Sequence, residues 1–122
     1  GVFPLTTKVF KKPQGHGYIC SRVQSANPFY PVGFVLTGHE FHYSHCTDAD
    51  RVSSFVFSLD RGQGMKKGWD GVLVRNCLAG YTHIHALGIP VWATNFVSAA
   101  RIYQHHRGVR RPCPDIRLEK SA

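Results

Sequence analysis

Short runs of alternating apolar and polar residues, punctuated by glycine and proline, fill this 122-residue chain up to Pro90. Alternation of this kind puts every second side chain on one face of a strand. Residues 6–10 read as a strand closed by Lys11-Lys12-Pro13, and residues 18–23 as a second. Asn27-Pro28-Phe29-Tyr30-Pro31 breaks the second, because proline brings no N–H to a ladder. Residues 32–43 read as a longer strand kinked at Gly38, residues 54–59 as a fourth, and residues 72–74 and 81–85 as two further short ones. The glycines and lysines of residues 60–68 superficially resemble a phosphate loop. They lack the G-x-x-x-x-G-K-[ST] spacing and a following helix, so the segment reads as a hairpin loop.

The period changes after Pro90. Trp92, Phe96, Ala99, Ala100 and Tyr103 recur at helical spacing, predicting one helix over residues 90–105 whose aromatic face belongs to the core. Pro90 suits a first-turn position, Gly108 a stop, and Pro112 and Pro114 prevent resumption. No internal repeat is evident.

Composition narrows the class. Hydrophobic residues make up 43% of the chain, enough for a core, whereas only 18% are charged. So few charges suggest a surface that more protein normally covers. The formal net charge is +8 and the pI about 9.7. Much of the positive charge lies in Arg101, Arg107, Arg110, Arg111, Arg117 and Lys120, against Asp115 and Glu119. The last part of this stretch, residues 109–122, reads as a solvated basic tail. Neither an Arg-rich helix nor a basic aromatic sheet motif supports a nucleic-acid partner. No apolar run approaches a membrane span. Cys20, Cys46, Cys77 and Cys113 form no C-x-x-C pair, which argues against a zinc ribbon and for free thiols in a cytoplasmic protein. The chain starts at Gly1, which fits an excised fragment or a processed start.

Candidate chemistry concentrates in two strings, Gly38-His39-Glu40-Phe41-His42-Tyr43-Ser44 and Tyr81-Thr82-His83-Ile84-His85. Imidazole is the side chain best placed to carry a proton or a metal near neutral pH. On an extended chain Glu40, His42 and Ser44 share one face, His39, Phe41 and Tyr43 the other, and His83 and His85 lie together. Three readings are open: buried, hydrogen-bonded strand histidines; a metal site of His83 and His85 with a third ligand from His39, His42 or Glu40; or acid–base work by His83, oriented by His85. The last needs a nucleophile. A reactive cysteine favours a tight turn or helix N-terminus, and none of the four sits in a Gly-rich strand-to-helix elbow.

The first string resembles the G-H-E-F-H-Y-S signature of the cobyrinic acid a,c-diamide synthases. These are class I (triad) glutamine amidotransferases of corrinoid and related tetrapyrrole synthesis. Further matches follow in order. Pro13-Gln14-Gly15-His16-Gly17-Tyr18 resembles the family's P-x-G-x-G-Y segment. Asn27-Pro28-Phe29-Tyr30-Pro31-Val32-Gly33 resembles its N-P-F-F-P-x-G, Gly68-Trp69-Asp70-Gly71 its D-G turn, and Tyr81-Thr82-His83-Ile84-His85 its terminal Y-x-H-x-H. The resemblance runs from residue 1 to about residue 104.

The resemblance implies an α/β, class I glutamine amidotransferase-like fold with a central, largely parallel sheet in the complete domain. Residues 1–108 would be its strand-rich C-terminal part, with one clear C-terminal helix. It also implies a cysteine thiolate that attacks the glutamine amide, and ammonia that is passed to a carboxylate of a tetrapyrrole polycarboxylate. An ATP- and Mg2+-dependent synthetase domain upstream in the same chain would activate that carboxylate. His83 would be the base and later the acid. His85 stands where many such enzymes carry a glutamate, and an imidazole cannot supply a carboxylate's charge. Glu40 and the His42-Tyr43-Ser44 strand would border the bound glutamine.

The family's C-G-G nucleophile elbow does not occur in these residues. The resemblance therefore implies a part that supplies the base and part of the glutamine pocket, holds no cofactor itself, and is inactive alone. Sheet left uncovered in such a part predicts a homodimer or a rearranged packing. The competing expectation is a small His-cluster metal-binding β domain. A basic nucleic-acid module ranks last.

Overall fold

The computed structural model describes residues 1–106. Four antiparallel strands form its centre, in the order β3-β2-β5-β6: β2 (Gly15–Val23), β3 (Val35–His42), β5 (Phe57–Arg61) and β6 (Trp69–Asp70). Two small pairs flank them. β1 (Thr7–Val9) pairs with β4 (Ser44–Cys46), and β7 (Val72–Val74) with β8 (Cys77–Ala79), both antiparallel. A 3-10 turn covers Ala49–Arg51, and the helix α1 spans Val91–His106.

Burial along β3 alternates strictly. Leu36, Glu40 and His42 point inward, while Val35, Thr37, His39 and Phe41 are exposed. Leu36 is fully enclosed, and burying such a side chain contributes about 1.5–3 kcal/mol. It joins Val23, Phe29, Tyr30, Val56 and Phe57 in the main core. A second, smaller cluster gathers Cys46, Ala49, Met65 and Val72. Asn27 shapes the proline-flanked turn that feeds β3: its Oδ1 accepts from the amides of Phe29 and Tyr30, both at 2.9 Å.

Several sequence expectations meet the structure closely. Residues 72–74 form a strand, residues 60–68 connect two antiparallel strands, and the helix is offset by one residue at each end. Others are corrected. β2 begins at Gly15, not residue 18, because Gly15-His16-Gly17 continue the pairing with β3. The expected kink at Gly38 is absent, since Gly38 stays in register opposite Ile19.

Residues 81–85 are not a strand: among the described residues a single bridge, His39 to His83, is their only ladder contact. The amides of Tyr81 and Thr82 are taken by Asp70 and cannot join a sheet. The largely parallel sheet is an expectation for the complete domain; among the described residues every strand pair is antiparallel, as suits strands joined by turns and short loops without helical crossovers.

The helix is the sharpest correction. No residue on it is buried. It meets the core through Val91, Asn95 and Ala99, one row of side chains four residues apart, while Trp92 and Phe96 are 36% and 51% exposed. Phe96 stacks on Phe29 with ring centroids 6.0 Å apart, and Asn95 donates to the Phe29 carbonyl at 2.7 Å. Of the expected face, Ala99 and Phe96 touch the core, while Ala100 and Tyr103 stay exposed. The basic tail, Gly108 and Cys113 lie outside the described residues.

Candidate functional site

The inner face of β3 carries a buried polar network. Glu40 and His42 are 3% and 7% exposed. Glu40 accepts from the amide of Gln63 at 2.6 Å and that of Gly64 at 3.0 Å, and its Oε2 lies 3.3 Å from His42 Nε2. His42 Nδ1 donates to the Ser44 carbonyl at 2.7 Å. A carbonyl only accepts, so Nδ1 carries hydrogen. Nε2 faces the Glu40 carboxyl, and one proton shared between them makes the contact attractive.

Tyr81 completes this network. Its ring lies flat on His42, centroids 3.7 Å apart and planes 9° from parallel. The Tyr81 hydroxyl bonds Ser44 Oγ at 2.8 Å and lies 3.9 Å from Cys46 Sγ. Burial pushes both the Tyr81 phenol and the Cys46 thiol above their ordinary values, outweighing the hydrogen bonds that pull each down. Both groups are neutral at neutral pH.

The second string rests on Asp70, which is fully buried. Its carboxylate accepts from the Tyr81 amide at 2.9 Å, the Thr82 amide at 2.8 Å and the Thr82 hydroxyl at 2.7 Å. The next residue, His83, exchanges both backbone hydrogen bonds with His39: His83 N–H donates at 2.8 Å and His39 N–H at 3.0 Å. The two imidazoles stack, centroids 5.0 Å apart, and both residues are exposed. Gly38 permits this approach, because a Cβ there would run into the His83 carbonyl oxygen.

The two strings therefore meet, on opposite faces of β3. Glu40, His42 and Ser44 lie inside with Tyr81, whereas His83 shares the outer side with His39 and exposed Tyr43. His85 is exposed too, and its Nδ1 accepts from the Leu87 amide at 3.3 Å rather than from His83. No three His, Cys, Asp or Glu side chains among the described residues converge as a metal site. The loop of residues 60–68 does not suit ATP, because the amides of Gln63 and Gly64 already hold the Glu40 carboxylate.

Asp70 and Tyr81 are the site residues that sequence reasoning undervalued. Trp69-Asp70-Gly71 reads as a turn, and no local pattern reveals a partner eleven residues away. The described cysteines, Cys20, Cys46 and Cys77, are all free. No helix among the described residues is long and apolar enough to cross a membrane.

Comparison with known proteins adds a family. The CobB/CobQ-like glutamine amidotransferase domain matches residues 1–90. The cobyrinate a,c-diamide synthase of Magnetococcus marinus is 38% identical over 93 residues, covering 76% of this chain and 20% of its own length. The enzyme of the same name from Methanosphaera stadtmanae is 37% identical over 100 residues, covering 81% of this chain and 22% of its own. That from Archaeoglobus fulgidus is 35% identical over 100 residues, covering 82% and 22%. The chain thus spans about a fifth of the length of these curated relatives. No solved structure matches it significantly.

Proposed function

The chain belongs to the CobB/CobQ-like glutamine amidotransferase domain family, and we propose that it supplies the base-bearing part of a glutamine-hydrolysing site. The whole enzyme would be an ATP- and glutamine-dependent ligase of the cobyrinate a,c-diamide synthase type, amidating peripheral carboxylates of a corrinoid or related tetrapyrrole. The observation that carries this reading is the exposed His83 imidazole, yoked to the outer side of β3 by reciprocal backbone bonds to His39.

In this reading His83 takes the proton of a cysteine thiol carried by another part of the enzyme. The thiolate attacks the glutamine side-chain carbonyl, and His83 returns the proton to the departing ammonia. Water, deprotonated by the same imidazole, then hydrolyses the glutamyl thioester. Cys46 does not fit the role of nucleophile: it is buried, its thiol is held neutral, and it faces Tyr81 on the inner side. His85 has Nε2 left to orient His83, since the Leu87 amide takes only Nδ1; a cysteine–histidine dyad needs no such contact. Tyr43, exposed and edge-on against Phe41, borders the glutamine. His42, Ser44 and Glu40 stiffen that border from beneath. ATP and Mg2+ would act on a synthetase domain, and no residue here is assigned to them.

The test uses the full-length enzyme. His83→Ala should abolish glutamine-dependent amidation while synthesis from free ammonia survives, because carboxylate activation lies elsewhere. Equal loss of both activities would assign His83 to folding. The isolated chain should release no ammonia from glutamine.

A further inference from the structure

Residues 80–85 carry the proposed base yet have no secondary structure beyond the single His39–His83 bridge. What shapes them is one carboxylate. Asp70 closes β6, whose register is set by pairing with Phe57 and Ser58 of β5. Its two oxygens receive the Tyr81 amide, the Thr82 amide and the Thr82 hydroxyl, all within 3.1 Å. The chain passes close over it: a Cβ at Gly80 would meet Asp70 Oδ2 at 2.8 Å. No cation pairs with Asp70 among the described residues. A buried carboxylate without a counter-ion is costly unless donors satisfy it, and here residues 81–82 supply those donors.

Resting on the amidotransferase reading, we propose that Asp70 is the positioning residue of the base. It acts through Tyr81 and Thr82 to fix the direction in which His83 leaves the turn, and so the place of the imidazole relative to the incoming thiol. Asp70 touches neither substrate nor thiol. Its effect is orientational: a displacement of about 1 Å at a reacting group can cost roughly 100-fold in rate. Thr82 is the adjustable part of the device, since its hydroxyl reaches Asp70 through a side chain while the other two donors are backbone.

The experiment compares Thr82→Val, Thr82→Ser and Asp70→Asn in the full-length enzyme, assaying glutamine-dependent and ammonia-dependent amidation in parallel. Thr82→Val keeps the side-chain volume and removes one hydrogen bond. It should lower kcat with glutamine about 10-fold, with the glutamine KM within about 2-fold, because the loss falls on the reacting geometry. Thr82→Ser restores the hydroxyl and should restore kcat. Asp70→Asn replaces an acceptor with an amide that opposes the N–H donors and should cost about 100-fold in the same parameter. Ammonia-dependent activity should be unchanged in all three. Three results would overturn the proposal: Thr82→Val indistinguishable from wild type, Thr82→Ser as impaired as Thr82→Val, or parallel loss of ammonia-dependent activity. His83→Ala separates the two levels. If it abolishes glutamine use while Thr82→Val does nothing, positioning by Asp70 fails and the amidotransferase reading stands. If His83→Ala retains glutamine use, the reading fails and the positioning role with it.

Discussion

His42 and Tyr81 lie face to face at 3.7 Å, joining the inner side of β3 to the segment that bears His83. The stack and the hydroxyl can be separated by mutation. Tyr81→Phe keeps the ring and loses the bond to Ser44, a loss of about 0.5–1.5 kcal/mol. Tyr81→Ala also removes the stacked pair, worth a further 0.5–1.5 kcal/mol or so beyond the area it buries. Denaturant unfolding of the two variants should rank them in that order. Equal destabilisation would mean that the ring contact with His42 contributes nothing.

Glu40 is held by two amides of the 60–68 loop as well as by His42. Removing the carboxyl leaves the buried donors it holds unsatisfied, at about 1–3 kcal/mol each. Glu40→Ala should therefore be among the most destabilising substitutions in the chain. Glu40→Gln keeps one carbonyl acceptor and should cost less. Hydrogen exchange gives the finer check: the Gln63 and Gly64 amides should lose protection in both variants. Retained protection in Glu40→Ala would show that the loop closes without the carboxylate.

Gly38→Ala tests the junction of the two strings. The added methyl would collide with the His83 carbonyl, pushing residues 82–84 off β3 and weakening both His39–His83 backbone bonds, each worth about 0.5–1.5 kcal/mol. In the full-length enzyme the displaced imidazole should cost more glutamine-dependent activity than ammonia-dependent activity. Wild-type kinetics with glutamine would show that the close approach does not matter to the chemistry.

The sequence carried the face assignment of β3 because alternation is a local property. Leu36, Glu40 and His42 fall inward as a two-residue period requires. The strand expected over residues 81–85 failed for the opposite reason: its fate depends on Asp70, remote in sequence and inconspicuous in a glycine turn. The helix shows an intermediate case. Its apolar period is real, but aromatic residues weigh heavily in any such pattern, and the packing row of Val91, Asn95 and Ala99 includes an asparagine whose side chain caps the Phe29 carbonyl. The meeting of the two histidine strings needed the three-dimensional pairing of His39 with His83, although resemblance had already placed both in one site.

The thiols supply a last prediction, with a definite pH sign. Burial raises the Cys46 pKa, so its neutral form persists in the folded protein at pH values where a free thiol ionises. Only the thiolate reacts with iodoacetamide. Cys77 is exposed on the β7–β8 hairpin and should be alkylated ahead of Cys46 at pH 8, with Cys46 unlabelled until the pH rises further or the protein unfolds. The same shift bears on stability. A group whose folded pKa is raised leaves the fold unpenalised below its unfolded pKa and destabilises it as pH climbs through the folded value. Cys46→Ala should thus flatten the alkaline end of the stability profile, while its lost packing lowers stability at every pH. Mass spectrometry of partially alkylated protein decides the labelling order. Cys46 modified ahead of Cys77 under native conditions would reveal a reactive thiol on the inner side, and would reopen the question of which cysteine His83 serves.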